Sequence, residues 1–403
     1  MLKTGFHVMT KPIGPICNLD CKYCFYLEKE KLYPGTRDWA MPREVLERYV
    51  QEYIACQPQE EIHFAWQGGE PTLLGVEFFQ TVVELQKKYA GGKVIHNALQ
   101  TNGTLIDDAW ARFLKEYGFL VGVSIDGPRE LHDCYRVDKG QAPTFDKVMR
   151  GITQLREHEV DFNTLTVVHR ENSRYPLEVY RFLKEIGSGF MQFIPIVERK
   201  ATEPGPDGMV LIQPSFDRAA EVTEWSVEAE AYGKFLARIF DEWVKRDVGR
   251  YFVQLFDVAL ESWLGLEASL CVFRKTCGSA MAMEHTGDVY SCDHFVYAEN
   301  RLGNIVEAGL EAMASSAQQV KFGNDKRDLL PQMCRSCEVR FACNGECPKH
   351  RFLKTPDGEP GLNYLCAGYK YFFNYVDPFM RFMATELRAG RPPANIMRIL
   401  GGG

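Results

Sequence analysis

The chain has 403 residues, of which 45% are hydrophobic and 25% charged, and its formal net charge is -7 at pH 7. This composition is ordinary for a soluble globular protein, and the length exceeds what one core usually contains, so we expect one large domain and a smaller one. The negative charge argues against a broad basic surface, and we expect no nucleic-acid partner.

The N-terminal sequence MLKTGFHVMTKP lacks the long apolar run of a signal peptide, and no stretch of the chain reaches transmembrane length. We therefore expect a cytoplasmic location and no membrane partner. In a reducing compartment the 13 cysteines, many of them closely spaced, are interpreted as metal ligands before they are interpreted as disulfides.

Strands and helices alternate along the first half of the chain. Hydrophobic patterns predict strands at 6–12, 61–66, 94–101, 119–126, 161–168 and 190–198. They predict helices at 43–56, 75–90, 107–118, 144–160 and 175–187. Strands separated by helices form β-α-β units and hence a parallel sheet. Because these strands are fewer than the eight of a closed barrel, the predicted fold class is α/β, a partial (β/α)6 TIM-like barrel with its site at the carboxyl ends of the strands.

The second half has a different character. Residues 199–225 are rich in Pro, Gly and charge and predict a connecting segment, and a long helix is predicted at 227–247. After residue 270 cysteines dominate, and little regular structure is predicted. We therefore predict a barrel at 1–225, a helical linker at 226–270, and a Cys-rich C-terminal domain with a C-terminal helix at 271–403.

Eleven of the cysteines fall into a pattern typical of iron–sulfur proteins. The sequence CNLDCKYC (17–24) places three of them in a C-x3-C-x2-C spacing directly after the first predicted strand. Eight more follow late in the chain: Cys271, Cys277, Cys292, Cys334, Cys337, Cys343, Cys347 and Cys366. This count fits one cluster with three protein ligands and two clusters with four. A three-ligand cluster leaves a coordination position open for a small molecule, as an open catalytic zinc site does.

The two remaining cysteines are interpreted as non-ligands. Cys56 fits the apolar pattern of a helix, and Cys134 lies in a loop outside any ligand spacing. Zinc is the alternative metal, since CRSC at 334–337 would by itself suit a zinc knuckle. The sequence also leaves open a Cys-rich scaffold without enzymatic activity.

The loop CNLDCKYCFY resembles the cluster loop of radical S-adenosylmethionine (SAM) enzymes, and the late cysteines resemble the SPASM extension with its two auxiliary clusters. Longer motifs resemble the anaerobic sulfatase-maturating enzymes. They are WQGGEPTLLG (66–75), LQTNGTLIDDAW (99–110), VGVSIDGP (121–128), GDVYSCDHFVY (287–297), RLGNI (301–305) and GLNYLCAGYK (361–370). The resemblance extends over nearly the whole chain.

The resemblance implies three 4Fe-4S clusters and SAM as cofactors. Cys17, Cys21 and Cys24 would hold the SAM-binding cluster. One auxiliary cluster would be held by Cys271, Cys277, Cys292 and Cys347. The other would be held by Cys334, Cys337, Cys343 and Cys366. Spacing alone does not determine this partition, because eight cysteines allow many pairings.

The resemblance also implies roles for five further residues. Tyr23 would flank the adenine of SAM, Gly69 would allow a close backbone contact, and Ser124 would contact the carboxylate or ribose. Arg136 would pair with the SAM carboxylate, which suits the guanidinium fork. Asp293 would be the catalytic base, with His294 beside it as a substitute. Each residue type also occurs at such positions for structural reasons alone.

The implied reaction is the radical SAM oxidation of a cysteine or serine in a sulfatase active-site motif to Cα-formylglycine (3-oxoalanine), which activates the sulfatase after translation. The enzyme would be an oxidoreductase of anaerobic cells. Its partners would be an unfolded sulfatase polypeptide and an electron donor such as flavodoxin or ferredoxin. The alternative is a SPASM enzyme that introduces a thioether or another crosslink into a different peptide. The sequence leaves open whether cysteine, serine or both are accepted.

Overall fold

The computed structural model describes residues 5–205, 208–213 and 219–401. Its first half alternates strands and helices as predicted. The strands are β1 (His7–Lys11), β2 (Glu61–Trp66), β3 (Val94–Thr101), β4 (Leu120–Ser124), β5 (Phe162–Val168) and β6 (Phe190–Pro195). The helices are α1 (Arg43–Cys56), α2 (Gly75–Tyr89), α3 (Asp108–Glu116), α4 (Arg129–Asp133), α5 (Phe145–Glu157) and α6 (Pro176–Glu185). Every strand and helix predicted in this half is present, and the short helix α4 is an addition.

The middle of the chain is packed against the barrel. Its elements are a hairpin of β7 (Arg199–Ala201) and β8 (Ala220–Val222), then α7 (Ala229–Arg246), β9 (Phe252–Val253) and α8 (Gln254–Leu264). Strand β9 pairs in parallel with β6. The prediction of a helical linker therefore needs correction: the segment is helical, but it adds a strand to the sheet, and α7 buries Phe235, Phe240 and Trp243 in the core.

The region after residue 270 has more regular structure than the sequence predicts. Its strands are β10 (Ala280–Glu284), β11 (Asp288–Tyr290), β12 (Arg301–Asn304), β13 (Leu353–Lys354) and β14 (Pro360–Leu362). Its helices are α9 (Leu310–Ala314), α10 (Ala317–Asp328), α11 (Gln332–Arg335), α12 (Arg340–Cys343), α13 (Cys366–Arg388) and α14 (Asn395–Ile399). The longest is α13, with 23 residues, and it packs on α7 and α8.

One sheet of ten strands joins the two halves of the chain, in the order β12-β11-β10-β1-β2-β3-β4-β5-β6-β9. Strands β1 to β6 are parallel, as predicted. Strand β10 pairs in parallel with β1, so that Glu284 lies opposite Lys11. The partial barrel is thus extended at its first strand by the C-terminal region, which brings residues from both ends of the chain to one sheet edge.

The two faces of the barrel sheet have different surroundings. On β2, Ile62, Phe64 and Trp66 are buried in the main core with the aromatic residues of α1 and α2. Because side chains alternate along a strand, Glu61 and His63 face the barrel interior. The pairing of Met9 with Ala65 puts Lys11 on this interior face as well. Among the described residues we find no helix with the length and hydrophobicity that a bilayer crossing requires.

Candidate functional site

The three-cysteine loop begins at the carboxyl end of β1, where the barrel rule predicts the site. The Cys17 sulfur accepts hydrogen bonds from the Leu19 amide at 3.3 Å and from the Asn102 side chain at 3.7 Å. Burial raises the pKa of the Cys17 thiol to about 11 and that of Cys21 to about 12. Such thiols keep their protons at neutral pH unless a metal replaces them, and metal ligation requires the thiolate.

Gly69 supports this loop through its backbone. Its amide donates to the Gly14 carbonyl at 2.8 Å, and the Glu70 amide donates to the Ile16 carbonyl at 2.8 Å. A Cβ on Gly69 would lie 1.9 Å from the Ile16 carbonyl oxygen. The glycine is therefore required by the close approach of two chain segments, and a contact of Gly69 with SAM stays a prediction.

Replacing Gly69 by alanine is expected to displace the cysteine loop, because backbone rather than a movable side chain occupies the space. We expect a loss of about 1–3 kcal/mol in the free energy of unfolding, the usual cost of overpacking, and a lower iron content after reconstitution. Gly189→Ala is the control, since a Cβ at Gly189 meets nothing within 4 Å. Equal iron content and stability in both variants would contradict this role.

Glu70 and Asn102 are site residues that we did not predict. Glu70 is fully buried, and its carboxylate accepts from the Thr101 hydroxyl at 2.7 Å and from the Asn102 amide at 2.7 Å. The Asn102 side chain in turn donates to the Asn18 side chain at 2.8 Å and to the Cys17 sulfur. The motifs QGGEP and QTNG contain the signal that could have predicted both residues. Their polar residues follow adjacent parallel strands, and such strands end at the same sheet edge.

Tyr23 and Arg136 both donate hydrogen bonds to one protein carboxylate, that of Asp126. The Arg136 guanidinium donates to the two oxygens of the buried Asp126 at 2.9 and 3.2 Å, and the Tyr23 hydroxyl donates to the same group at 2.5 Å. Burial would raise the pKa of Asp126, but Arg136 lowers it below its ordinary value. The arginine fork expected for the SAM carboxylate is thus directed at Asp126, and a direct contact of Arg136 with SAM stays a prediction.

The surroundings of Tyr23 contain a free polar atom that a cofactor could use. The His169 ring stacks on Tyr23 with centroids 6.1 Å apart, and burial lowers the pKa of His169 to about 4. The Nε2 atom of His169 is buried and has no hydrogen-bond partner among the described residues. The Nδ1 atom accepts from the Glu171 and Asn172 amides, both at 3.2 Å, so in the neutral ring Nε2 carries the proton and can donate to a bound molecule.

Ser124 is the last residue of β4, as predicted, and is half-buried. Its hydroxyl accepts a hydrogen bond of 3.0 Å from the Gln100 side chain of the neighbouring strand β3. Gln100 was not predicted. The two side chains are polar groups at the carboxyl ends of adjacent strands, which is the place where ligands bind in parallel sheets.

Asp293 directly follows Cys292 and forms an ion pair with the ammonium group of Lys11. Lys11 ends β1, is buried, and lies 3.5 Å above the Tyr26 ring. Burial would raise the pKa of Asp293, but the charge of Lys11 outweighs it and holds the pKa below its ordinary value. The carboxylate is therefore ionised at neutral pH, the form that a general base requires.

Glu284 is a second buried carboxyl group beside Lys11, and it was not predicted. It lies opposite Lys11 across β1 and β10 and accepts a hydrogen bond from the Tyr26 hydroxyl. Burial raises the pKa of Glu284 to about 7. Glu284 and Asp293 share one lysine, and their different environments push their pKa values apart, a feature of functional sites.

His294 has a different surrounding from its neighbour Asp293. Its Nδ1 lies 3.4 Å from the Cys347 sulfur, and its ring meets Phe25 edge-on. Burial lowers the pKa of His294 to about 3, so that the ring is neutral. These contacts place His294 beside the proposed ligand Cys347. They favour a role next to that set of cysteines over a role as an alternative base.

The eight late cysteines divide into two electrostatically coupled sets. Burial raises the pKa of these thiols where a shift is resolved, and neighbouring thiols raise it further. The first set consists of Cys271, Cys277, Cys292 and Cys347. The second consists of Cys334, Cys337, Cys343 and Cys366. These are the two sets that the resemblance implies, so their proximity supports the proposed partition.

The two cysteines interpreted as non-ligands make backbone contacts instead. The Cys56 thiol donates to the Tyr53 carbonyl at 3.5 Å, and the Cys134 thiol donates to the Leu131 carbonyl at 3.0 Å. Both are bonds to the residue three positions earlier. Neither thiol is among the neighbouring thiols that raise the pKa values within the two sets of four.

The spacing of the sulfur atoms argues against zinc. Two thiolates on one zinc ion lie at most about 4.6 Å apart, twice the Zn–S distance. All 13 cysteines belong to the described residues. No three of them bring their sulfurs within 4.8 Å of one another, and the one group of ligand atoms that does so contains no cysteine. The described cysteines therefore form no preassembled three-thiolate zinc site.

A partial barrel with three cysteines after its first strand, followed by two sets of four, defines a radical SAM protein with auxiliary iron–sulfur clusters. The comparisons agree. A profile of the radical SAM superfamily matches residues 12–183, and a profile of the iron-sulfur cluster-binding SPASM domain matches residues 271–338.

Full-length relatives narrow this class to one family. The chain is 49% identical over 397 residues to a serine-type anaerobic sulfatase-maturating enzyme of Bacteroides thetaiotaomicron, covering 98% of this chain and 95% of that protein. It is 35% identical over 389 residues to a cysteine-type enzyme of Clostridium perfringens, covering 94% and 99%. The solved structure of native anSMEcpe with bound AdoMet and Cp18Cys peptide has a TM-score of 0.81 at 34% identity, covering 94% of this chain and 99% of that one. This chain belongs to the anaerobic sulfatase-maturating enzymes.

Proposed function

We propose that this protein oxidises Cβ of a serine or cysteine in a sulfatase active-site motif, so that the residue becomes Cα-formylglycine and the sulfatase is activated. The observation that carries the proposal is an ionised Asp293, 17% exposed and ion-paired with the buried Lys11, at the same sheet edge as the three-cysteine loop. The names of the full-length relatives support it. They do not favour the alternative of a peptide crosslink.

We assign Cys17, Cys21 and Cys24 to the SAM-binding 4Fe-4S cluster and the two sets of four cysteines to auxiliary 4Fe-4S clusters. When bound, the first cluster and SAM supply the deoxyadenosyl radical that removes a hydrogen atom from the substrate Cβ. The protein positions this chemistry: Asn102 and the Leu19 amide donate to the Cys17 sulfur. Such outer contacts orient ligands and tune cluster potentials.

The SAM contacts are part of the proposal. Ser124 and Gln100 present polar groups at adjacent strand ends, and His169 presents a free ring nitrogen beside Tyr23. Arg136 acts through Asp126 and Tyr23 by holding them in place. Gly69 keeps the turn after β2 against the cysteine loop. Arg136 thus has a positioning role in the proposal, and its direct ionic contact with the SAM carboxylate stays a prediction.

Asp293 accepts the proton that the substrate thiol or hydroxyl group loses during the oxidation. Beyond the hydrogen atom, the substrate must lose its thiol or hydroxyl proton to Asp293 and one electron, which the auxiliary cluster proposed on Cys271, Cys277, Cys292 and Cys347 would accept, so that CH2–SH becomes CH=S or CH2–OH becomes CH=O. The thioaldehyde then hydrolyses, so both substrates give the same aldehyde. Lys11 keeps the Asp293 carboxylate ionised and oriented until the proton arrives. Lys11 is buried, whereas 17% of the Asp293 side chain is exposed, so a bound substrate can reach the carboxylate.

Serine is the residue that we propose as the preferred target. The relatives at 49% and 38% identity are serine-type enzymes, whereas those at 35% are cysteine-type. We propose further that the target segment binds in extended form before the sulfatase folds, and that flavodoxin or ferredoxin supplies the electron for SAM cleavage. Two of the matched anSMEcpe structures contain a bound peptide, which supports a peptide substrate.

Two sulfatase-motif peptides that differ only in a serine or cysteine at the target position test this function. The reconstituted protein is incubated anaerobically with SAM, a reductant and each peptide, and peptide mass and 5′-deoxyadenosine are followed. We expect formylglycine on the serine peptide at the higher rate. SAM cleavage with both peptides unchanged would move the assignment to another peptide modification. No SAM cleavage by protein with full iron content would reject the radical mechanism.

A further inference from the structure

Three ligand-type side chains meet at the opposite end of the barrel from the cysteine loop. They are Glu61 and His63 of β2 and His96 of β3, and their ligand atoms all lie within 4.8 Å of one another. His63 and His96 are directly opposite each other in the strand pairing. Their rings are stacked, with centroids 4.7 Å apart and planes inclined by 15°.

This group is separate from the proposed active site. His96 and Gln100 are on the same face of β3, and a strand rises about 3.3 Å per residue, so the two side chains are roughly 13 Å apart. Glu61 and His63 share the interior face of the sheet, while Ile62 and Phe64 on the other face are buried in the core. The group therefore stands on two rigid, hydrogen-bonded strands at the amino end of the barrel.

The chemistry of the group is that of a metal site. A neutral imidazole is the form that binds metals, and it prefers zinc, copper or nickel. The His96 Nε2 lies 3.6 Å from a Glu61 carboxylate oxygen. Two imidazoles and one carboxylate form a known zinc ligand set that keeps a fourth position open.

We propose that Glu61, His63 and His96 bind one divalent transition-metal ion, of which zinc is our choice, with water at the remaining position. The three ligands come from adjacent strands whose backbones are already paired, so little ordering is needed on binding. All three side chains are accessible to solvent, which allows the ion to enter. The bound ion would link β2 to β3 on the interior face.

The neighbouring His7 is not part of this ligand set. The pairing of Met9 with Ala65 puts His7 beside His63 on the same face. His7 does not belong to the group of ligand atoms that lie within 4.8 Å of one another, so the site extends from His63 toward His96 and Glu61 and not toward β1.

Zinc binding to the cluster-loaded protein tests the assignment. The reconstituted protein is dialysed anaerobically against Zn2+, and zinc and iron per chain are measured by mass spectrometry. We expect the wild type to bind one zinc more per chain than the variant His63→Gln/His96→Gln, with iron content equal in both. The affinity should fall by at least about tenfold in each single variant, since losing even outer contacts of a metal site costs that much.

His158→Gln is the matched control, because His158 is also paired with a carboxylate, Asp108 at 3.0 Å, but has no second histidine. This variant should bind zinc like the wild type, and zinc should raise the melting temperature of both but not of the double variant. Equal zinc content in the wild type and the double variant overturns the assignment. So does zinc uptake that occurs only as iron is lost, since the zinc would then lie on the cysteines.

Discussion

Asp293→Asn is expected to lower formylglycine formation by roughly 10²–10⁴-fold, the range that general acid–base catalysis contributes. The amide has nearly the shape of the carboxylate but cannot accept the substrate proton. The variant should still cleave SAM, because hydrogen-atom abstraction precedes the proton transfer. Peptide mass and 5′-deoxyadenosine, measured in the same anaerobic reaction, separate the two steps.

Asp288→Asn is the matched control for this variant. Asp288 is close in the chain and also accepts from a cation, since the Arg301 guanidinium donates to it at 2.7 Å. It lies on β11 and is not next to a proposed cluster ligand. Asp288 is 14% exposed, comparable to Asp293, and its substitution should leave formylglycine formation per cluster-loaded chain within about twofold of the wild type, because the Asp288–Arg301 pair lies outside the proposed site. If both asparagine variants lose activity equally, or if Asp293→Asn keeps full activity, Asp293 is not the base.

Cys21→Ala is expected to abolish SAM cleavage altogether. A cluster with three protein ligands is not held when one of them is removed. Without this cluster no radical forms, so neither 5′-deoxyadenosine nor formylglycine is produced. The iron content should fall by about one cluster, while the two sets of four late cysteines keep theirs, because each set is held independently. Iron analysis and 5′-deoxyadenosine measured on the same preparation test the prediction.

Cys134→Ala provides the comparison for Cys21→Ala. Cys134 lies two residues from Arg136 and its thiol donates only to the Leu131 carbonyl among the described contacts. The variant should keep wild-type iron content and SAM cleavage. SAM cleavage by Cys21→Ala, or loss of one cluster from Cys134→Ala, would show that the ligand assignment in the first loop is incorrect.

The paired carboxyl groups at Lys11 suggest why the site is built across β1 and β10. Lys11 belongs to the first strand of the barrel, whereas Glu284 and Asp293 belong to the C-terminal region. The proposed base is therefore held by Lys11 only when the two regions share one sheet. This arrangement couples the position of Asp293 to the strand that leads into the cysteine loop.

The barrel could be predicted because its signals are local. Helix and strand periodicity depends on neighbouring residues, and α1, β2 and β3 have the predicted bounds to the residue. The cysteine sets could be proposed for a related reason, since short spacings keep ligands together. Resemblance over long motifs added Asp293 and the partition of the late cysteines, neither of which follows from spacing.

The predicted roles of Arg136 and Gly69 show the limits of such reasoning. Nothing in the sequence indicates that the Arg136 fork meets Asp126, ten residues earlier in the chain. Nor does it show that Gly69 is packed against the Ile16 carbonyl, since that contact depends on the path of a separate loop. Residue type predicted what these groups could bind, packing decided their protein contacts, and their contacts with SAM stay predictions.

The amino-acid sequence by itself determined the order of the β/α units, the three-cysteine loop and the existence of a second Cys-rich region, because each is a pattern within a short window. Only the tertiary structure decided that β10 to β12 extend the barrel sheet and that Tyr26 meets Glu284, 258 positions away. The physical reason is that strand pairing and burial act between segments that are distant in the chain. Their energies depend on the complete core, which no single window contains.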